Sequence, residues 1–239
     1  MLIKACLNGA RERGEHPALP LTPEEIAHDA ALVVAAGARA LHIHPRNSET
    51  KQSLVEQDQA AALIAVRRGC PGIPVGISTA RWIEADERVR LQRVREWTVL
   101  PDFASVNFDE PGAVELCHAL RERGIGVEAG LYSAADVEVL LHFDLTGHCL
   151  RVLIEPGEEE ACAALAAAQE MIDALAEAHI RVPKLLHGFG AAAWPLFDAA
   201  LRHGYDARIG LEDTLSLPDG RMAQGNAELV ALAVSKLGL

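Results

Sequence analysis

Residues 41 to 46 read Leu-His-Ile-His-Pro-Arg. Alternation along a strand puts Leu41 and Ile43 on one face and His42 and His44 on the other. Just upstream, Gly37 stands where a helix should end, because glycine enters the left-handed cap without strain. A helix end, a short half-apolar strand and a turn make one joint of a βα repeat. How often that joint recurs decides the fold.

It recurs along the whole chain. Short apolar or β-branched runs occur at residues 2–8, 40–44, 74–79, 103–108, 126–132, 149–155, 184–190 and 207–213. Each is followed by a helix-like stretch, and the spacing of about thirty residues is what successive βαβ connections require. Thr22, Pro23, Glu24 and Glu25 form a capping box with proline at the first helical position. Ser133 to Asp136 and Asn226 to Glu228 start the fifth and eighth helices without a strict box. Gly124, Gly147 and Gly204 mark further helix ends, and the alanine-rich stretch 158–179 is the longest helix. Eight βα units without a linker predict a (β/α)₈ TIM barrel, an α/β fold spanning residues 1–239 as one domain. No GxGxxG follows the first strand, so a dinucleotide-binding sheet lacks its fingerprint.

Composition narrows the function. The chain has 239 residues, 50% of them hydrophobic, and a net charge of -12. That charge argues against nucleic acid, whose phosphates need concentrated Lys and Arg, yet leaves room for a local basic cluster and an anionic small molecule. Cys6, Cys70, Cys117, Cys149 and Cys162 form no CxxC pair, and their odd number does not suggest a disulfide framework. The opening residues lack the pattern of a secretory leader, and no apolar run reaches the length of a membrane span. The expectation is a cytoplasmic protein with neither nucleic-acid nor membrane partners. Its apolar helices permit a homo-oligomer without demanding one.

In a barrel of this kind the active site lies at the carboxyl ends of the strands. His42 and His44 sit there on one face, with Arg46 continuing the row as an anion contact or a loop brace. Two neutral imidazoles suit zinc. A third ligand is available from the eighth strand, which neighbours the first in a closed barrel, so Glu212 can reach across its mouth to the histidines. His₂Glu with an open position is a recurring catalytic zinc arrangement. Arg208 shares the face of Glu212, and Asp213 follows at the turn. Other strand ends contribute Asn8, Gly9, Arg11, Ser78, Thr79, Ser105, Asn107, Glu128 and His187. Ser78 and Thr79 are equally suited to capping the third helix. Lys4 and Lys184 lie early in their strands, which disfavours a Schiff-base aldolase.

Seven pieces of the chain carry a resemblance: LNGAR at 7–11, PLTPEEIAHDA, AGARALHIHPR, VGIST, FASVNF, ARIGLED and GNAELV. In this order, and over nearly the whole chain, the sequence resembles the β-keto acid cleavage enzyme family. HxHxR combined with RxGxED is the specific part. The resemblance implies a zinc barrel that condenses a β-keto acid with acetyl-CoA, then releases acetoacetate and a new acyl-CoA by a retro-Claisen step. It implies that His42, His44 and Glu212 hold Zn2+, that Asp213 partnered by Arg208 is the acid–base residue, and that Ser78 and Ser105 seat the substrate carboxylate.

The chain also departs from the family. Arg11 stands where an amino-substrate member carries an acid, so the expected substrate is a neutral or acidic β-keto acid, paired bidentately by arginine. Strand five keeps Glu128 but has Gly130 at its second acidic position. After strand six, Glu155 and its followers place negative charge where the acyl carrier approaches. Two further readings use the same residues. One is a zinc hydrolase in which Asp213 takes a proton from metal-bound water. The other is a non-catalytic metabolite-binding barrel with structural zinc, against which the open coordination position argues.

Overall fold

The computed structural model describes residues 1–158 and 160–238. In chain order the elements are β1 (Ile3–Cys6), α1 (Pro23–Ala35), β2 (Ala40–Ile43), α2 (Glu56–Gly69), β3 (Val75–Ser78), α3 (Glu87–Glu96), β4 (Phe103–Asn107) and α4 (Ala113–Glu122). They continue with β5 (Gly126–Leu131), α5 (Ala134–His142), β6 (Arg151–Ile154), α6 (Ala161–Glu177), β7 (Lys184–Leu186), α7 (Ala193–His203), β8 (Asp206–Ile209) and α8 (Asn226–Ser235). Every strand is parallel to the next and β8 closes onto β1, so the sheet is a barrel with the helices outside. The expected (β/α)₈ architecture is the observed one. Among the described residues no helix is long and apolar enough to cross a membrane.

Local chemistry explains the helix starts. Thr22 Oγ1 accepts from the Glu25 N–H at 3.2 Å while the Glu25 carboxylate accepts from the Thr22 N–H at 3.0 Å, a reciprocal cap. Asp136 accepts from the Ser133 N–H at 2.8 Å and fixes the start of α5 in the same way. Asp86, rather than Ser78 or Thr79, caps α3. Gly37, Gly124 and Gly204 end helices with positive φ. Gly147 does not: α5 stops at His142, Asp144 takes the left-handed conformation at φ 51°, and Gly147 lies in a 3₁₀ turn. The longest helix is α6, as expected; of its anticipated first residues, Glu159 lies outside the described residues.

The strands are shorter at their carboxyl ends than periodicity suggests. β2 stops at Ile43, β7 at Leu186 and β8 at Ile209. Side chains take over from the ladder there: the His44 N–H donates to Asn8 Oδ1 at 2.9 Å instead of to a neighbouring strand. This loosening lets polar groups turn into the barrel mouth.

Beneath the mouth the interior is filled, not open. Gly76 has no Cβ because the ring of Phe103 occupies that space. Lys4 is fully buried, level with Arg208 by strand register, and its Nζ meets Glu128 Oε2 at 2.6 Å. Glu128 also faces Arg151 at 3.2 Å, and Arg151 pairs with Asp206 at 2.8 Å. Lys4 is thus an interior ion-pair partner, not a group at the amino-terminal rim. Lys184 does lie near that rim and donates to the Ile180 carbonyl at 2.8 Å.

Candidate metal and substrate site

His42 on β2, His44 just beyond it and Glu212 after β8 meet at the mouth. Their ligand atoms all lie within 4.8 Å of one another. His42 Nε2 and His44 Nε2 are 3.1 Å apart, and Glu212 Oε2 stands 3.8 Å and 3.7 Å from them. Both rings are buried. Burial, opposed by Glu212, holds the His42 pKa well below its usual value, so the ring is neutral and keeps a lone pair for a cation. His44 Nδ1 is 2.5 Å from Gln52 Oε1. An amide oxygen only accepts, so the proton sits on Nδ1 and Nε2 is left free for a metal. Glu212 Oε2 has no hydrogen-bond partner among the described residues. The donor set therefore fits a metal ion: two imidazole nitrogens and an unengaged carboxylate oxygen converge.

Two glycines make that convergence possible. Gly9, at φ +54°, leaves the space that the Glu212 side chain fills. Gly210 lies against the Cys6 carbonyl, where no Cβ fits. From Gly210 the chain turns sharply, with the Asp213 and Thr214 N–H groups donating to its carbonyl at 2.9 Å and 3.0 Å. Asn226 secures the turn from α8: its Oδ1 accepts from the Leu211 N–H at 2.6 Å, and its Nδ2 donates to the Leu7 carbonyl at 2.8 Å.

Arg208 organises the two acids of the turn. Its Nη2 donates to Asp213 Oδ1 at 2.7 Å and to Glu212 Oε1 at 2.8 Å, while Nε reaches Asp213 Oδ1 at 3.0 Å. Burial alone would raise the Glu212 pKa, but Arg208 holds it well below the usual carboxylate range. Burial pushes Asp213 up to about 7 against the pull of Arg208, with the charge of Glu212 adding to the push. Asp213 Oδ2 has no hydrogen-bond partner among the described residues.

These groups line a cavity of about 540 Å³, together with Arg11, Ser78, Ser105 and Asn107. Arg11 is at the rim, its side chain 22% exposed, with Nη1 3.0 Å from Glu15 and Nε on the Leu211 carbonyl. Three residues expected at the substrate are engaged elsewhere. Thr79 Oγ1 donates to the Ser105 carbonyl at 2.7 Å. Glu128 is held beneath the cavity by Lys4 and Arg151. Arg46 donates to the Gly9 and Arg11 carbonyls at 2.5 Å and 3.0 Å, so it braces the loop after β1. Each lies outside the cavity wall because its own neighbours satisfy it.

Sequence reasoning missed other members. Gln52 lies eight residues beyond His44 on an irregular loop, where no periodicity points to it. Tyr132, Phe189 and Trp82 also line the cavity. Asn226 reads as a helix start, which it is, but its side chain serves the β8 turn. Glu155, expected as loop charge, is buried in the cavity wall, and His187 lies behind it with Nε2 2.9 Å from Glu155 Oε2.

A barrel with a His₂Glu cluster beside an arginine-held aspartate has the equipment of a metal-assisted enzyme acting on a small acid. The family model for the beta-keto acid cleavage enzymes matches residues 1–237, and the chain belongs to that family. It is 24% identical to a 3-keto-5-aminohexanoate cleavage enzyme of Fusobacterium nucleatum, over 98% of this chain and 90% of the relative. A protein of that name from Acetoanaerobium sticklandii is 22% identical with the same coverage. Among solved structures, the binary complex of ObcA with oxaloacetate superposes with a TM-score of 0.73 at 20% identity, over 92% of this chain. The ternary complex of ObcA with a C4-CoA adduct and oxalate gives 0.73 at 19% identity. The chain spans 64% of the length of ObcA, and at such identity the likeness is one of fold.

Proposed function

We propose that the protein is a zinc-dependent enzyme that condenses a neutral or acidic β-keto acid with acetyl-CoA and releases acetoacetate and a new acyl-CoA by a retro-Claisen step. The observation that carries this reading is the meeting, in one cavity, of the His42, His44 and Glu212 ligand set with an Asp213 held on Arg208. Family membership supports the reaction class. A set of two imidazoles and one carboxylate favours zinc over the harder cations, which prefer oxygen alone. When bound, the metal supplies a Lewis acid that stabilises negative charge on a carbonyl oxygen.

The remaining work belongs to the chain. Asp213, whose Oδ2 has no hydrogen-bond partner among the described residues, takes the proton from the carbon between the keto and carboxylate groups, leaving the electron pair there for attack on the thioester. Arg208 keeps Asp213 oriented by binding its other oxygen. Ser78, Ser105 and Asn107 on β3 and β4 offer hydroxyl and amide groups to the substrate carboxylate. Arg11 at the rim favours an anionic tail over an ammonium. The complex of ObcA, a similar fold, with the dicarboxylate oxaloacetate agrees with this preference.

The test is incubation of the purified protein with acetyl-CoA and a panel of β-keto acids, read by mass spectrometry. Acetoacetate plus a new acyl-CoA is expected, most strongly with anionic members. Substrate loss without CoA involvement would replace this reading with hydrolysis. Arg11→Glu should shift the preference toward amino-bearing members, and an unchanged ranking would remove Arg11 from substrate selection. Metal analysis of the purified protein decides for or against zinc.

A further inference from the structure

The wall of the cavity formed by β6 and β7 contains an acid that the reaction above leaves unused. Glu155 follows β6 directly and is only 4% exposed, yet it lines the cavity. Its place depends on Gly130 in β5: a Cβ there would overlap Glu155 Oε1 and crowd Asn107 Oδ1. Gly130 has no positive φ and needs no glycine for its backbone. The missing side chain serves to admit the carboxyl.

Behind the wall, His187 positions that carboxyl. Its Nε2 stands 2.9 Å from Glu155 Oε2. Burial first, then the nearby cations Arg208 and Lys4, hold the ring well below its usual pKa, so it is neutral. Its Nδ1 lies 3.9 Å from Asp213 Oδ1, too far for a hydrogen bond. Glu155 Oε1 has no hydrogen-bond partner, and no arginine or lysine pairs with Glu155, among the described residues. A buried carboxylate without a cation is costly, whereas the neutral acid is not. When the imidazole Nε2 carries its proton and Oε2 accepts it, the acid proton falls on Oε1, which is packed over Gly130 in the cavity wall. β6 is diametrically opposite β2 in the eight-stranded ring, so Glu155 and the two histidines line opposite sides of one cavity.

We propose that Glu155, oriented by His187 and admitted by Gly130, is a further substrate-contacting residue that donates a hydrogen bond as the neutral acid to an oxygen of the β-keto acid. The inference rests on the function proposed above. Its electrostatic surroundings are consistent: burial outweighs Arg208 and Lys4, while Glu212 and Glu128 add to it, and the pKa rises to about 8. Tyr132 on the adjacent loop is raised by the same burial and stays neutral. Asp213 lies beyond the imidazole.

The experiment is calorimetric titration of the zinc-loaded protein with acetoacetate between about pH 7 and 9.5, the range in which an acid of this kind loses its proton. Wild-type affinity should fall roughly tenfold as donor turns into repelling anion. Glu155→Gln keeps a neutral donor, so it should bind nearly as the wild type at the lower pH and lose the decline. Gly130→Ala alters no functional group but displaces the carboxyl, and should weaken binding roughly tenfold at the lower pH. If Gly130→Ala does not fold, Glu155→Ala carries the same expectation. A decline that persists in Glu155→Gln, or wild-type binding by the displaced variant, overturns the inference. So does an infrared spectrum at neutral pH without a carboxylic-acid carbonyl band that Glu155→Gln removes. Turnover of the keto-acid panel tests the function itself, so the two failures are separable.

Discussion

Arg208 lays two nitrogens on one oxygen of Asp213, Nη2 at 2.7 Å and Nε at 3.0 Å, and the other oxygen has no hydrogen-bond partner among the described residues. The guanidinium thereby orients the carboxyl while leaving one oxygen unengaged. The same Nη2 reaches the half-buried Glu212, so one cation serves two acids.

Removing that cation should be severe. Arg208→Ala leaves Asp213 and Glu212 buried without their partner, and breaking such a cluster costs roughly 3–5 kcal/mol. Urea unfolding should show a loss of that size. Arg208→Lys should restore only part of it, because a point charge cannot present the two-nitrogen edge. Full recovery with lysine would mean that charge alone matters.

Gln52 touches no substrate, yet it sets the His44 tautomer. Gln52→Ala should lower zinc affinity about 10- to 100-fold, the usual effect of losing a ligand's hydrogen-bond partner. Competition with a chromophoric chelator measures this, and circular dichroism should be unchanged. Undiminished affinity would show that the ring orients itself.

Asp29 offers a test of stability against pH. It accepts from Asn226 Nδ2 at 2.7 Å, and burial raises its pKa from 3.8 to about 6. Between those values the unfolded chain has lost the proton and the folded chain keeps it, so stability falls as pH rises, then levels off above about 6. Asp29→Asn keeps an acceptor for Asn226 and has no charge to bury. It should match the wild type near pH 4 and exceed it near pH 7 by roughly 3 kcal/mol, at 1.36 kcal/mol per unit. Equal stabilities at both pH values would refute this account.

Gly210→Ala probes the approach of β8 to β1. The new methyl group would collide with the Cys6 carbonyl, which is backbone and cannot rotate away. Overpacking of this sort costs roughly 1–3 kcal/mol, and here the shift also moves the turn bearing Glu212 and Asp213. Thermal unfolding should show the loss, together with weaker metal binding than in the wild type. Unimpaired metal binding would uncouple the turn from the barrel seam.

Local signals along the chain were enough to establish eight βα units, and with them the closed barrel and its carboxyl-terminal mouth. They also sufficed to bring His42, His44 and Glu212 together as a cluster that could hold a metal ion, because alternation assigns a face and closure makes β8 a neighbour of β1. Tertiary structure alone decided which other polar residues line the cavity. Alternation says which side a residue takes but not where a strand ends, nor which partner from a distant element satisfies it. Thr79, Glu128 and Arg46 looked as suitable as Ser78 and Ser105 until their partners were in place. Gln52 reaches back to His44 from an irregular loop, while Asn226 and Glu155 act through residues far away in sequence, as when Gly130 on one strand makes room for a carboxyl on the next. Such contacts depend on packing in three dimensions, and no pattern within a single segment encodes them.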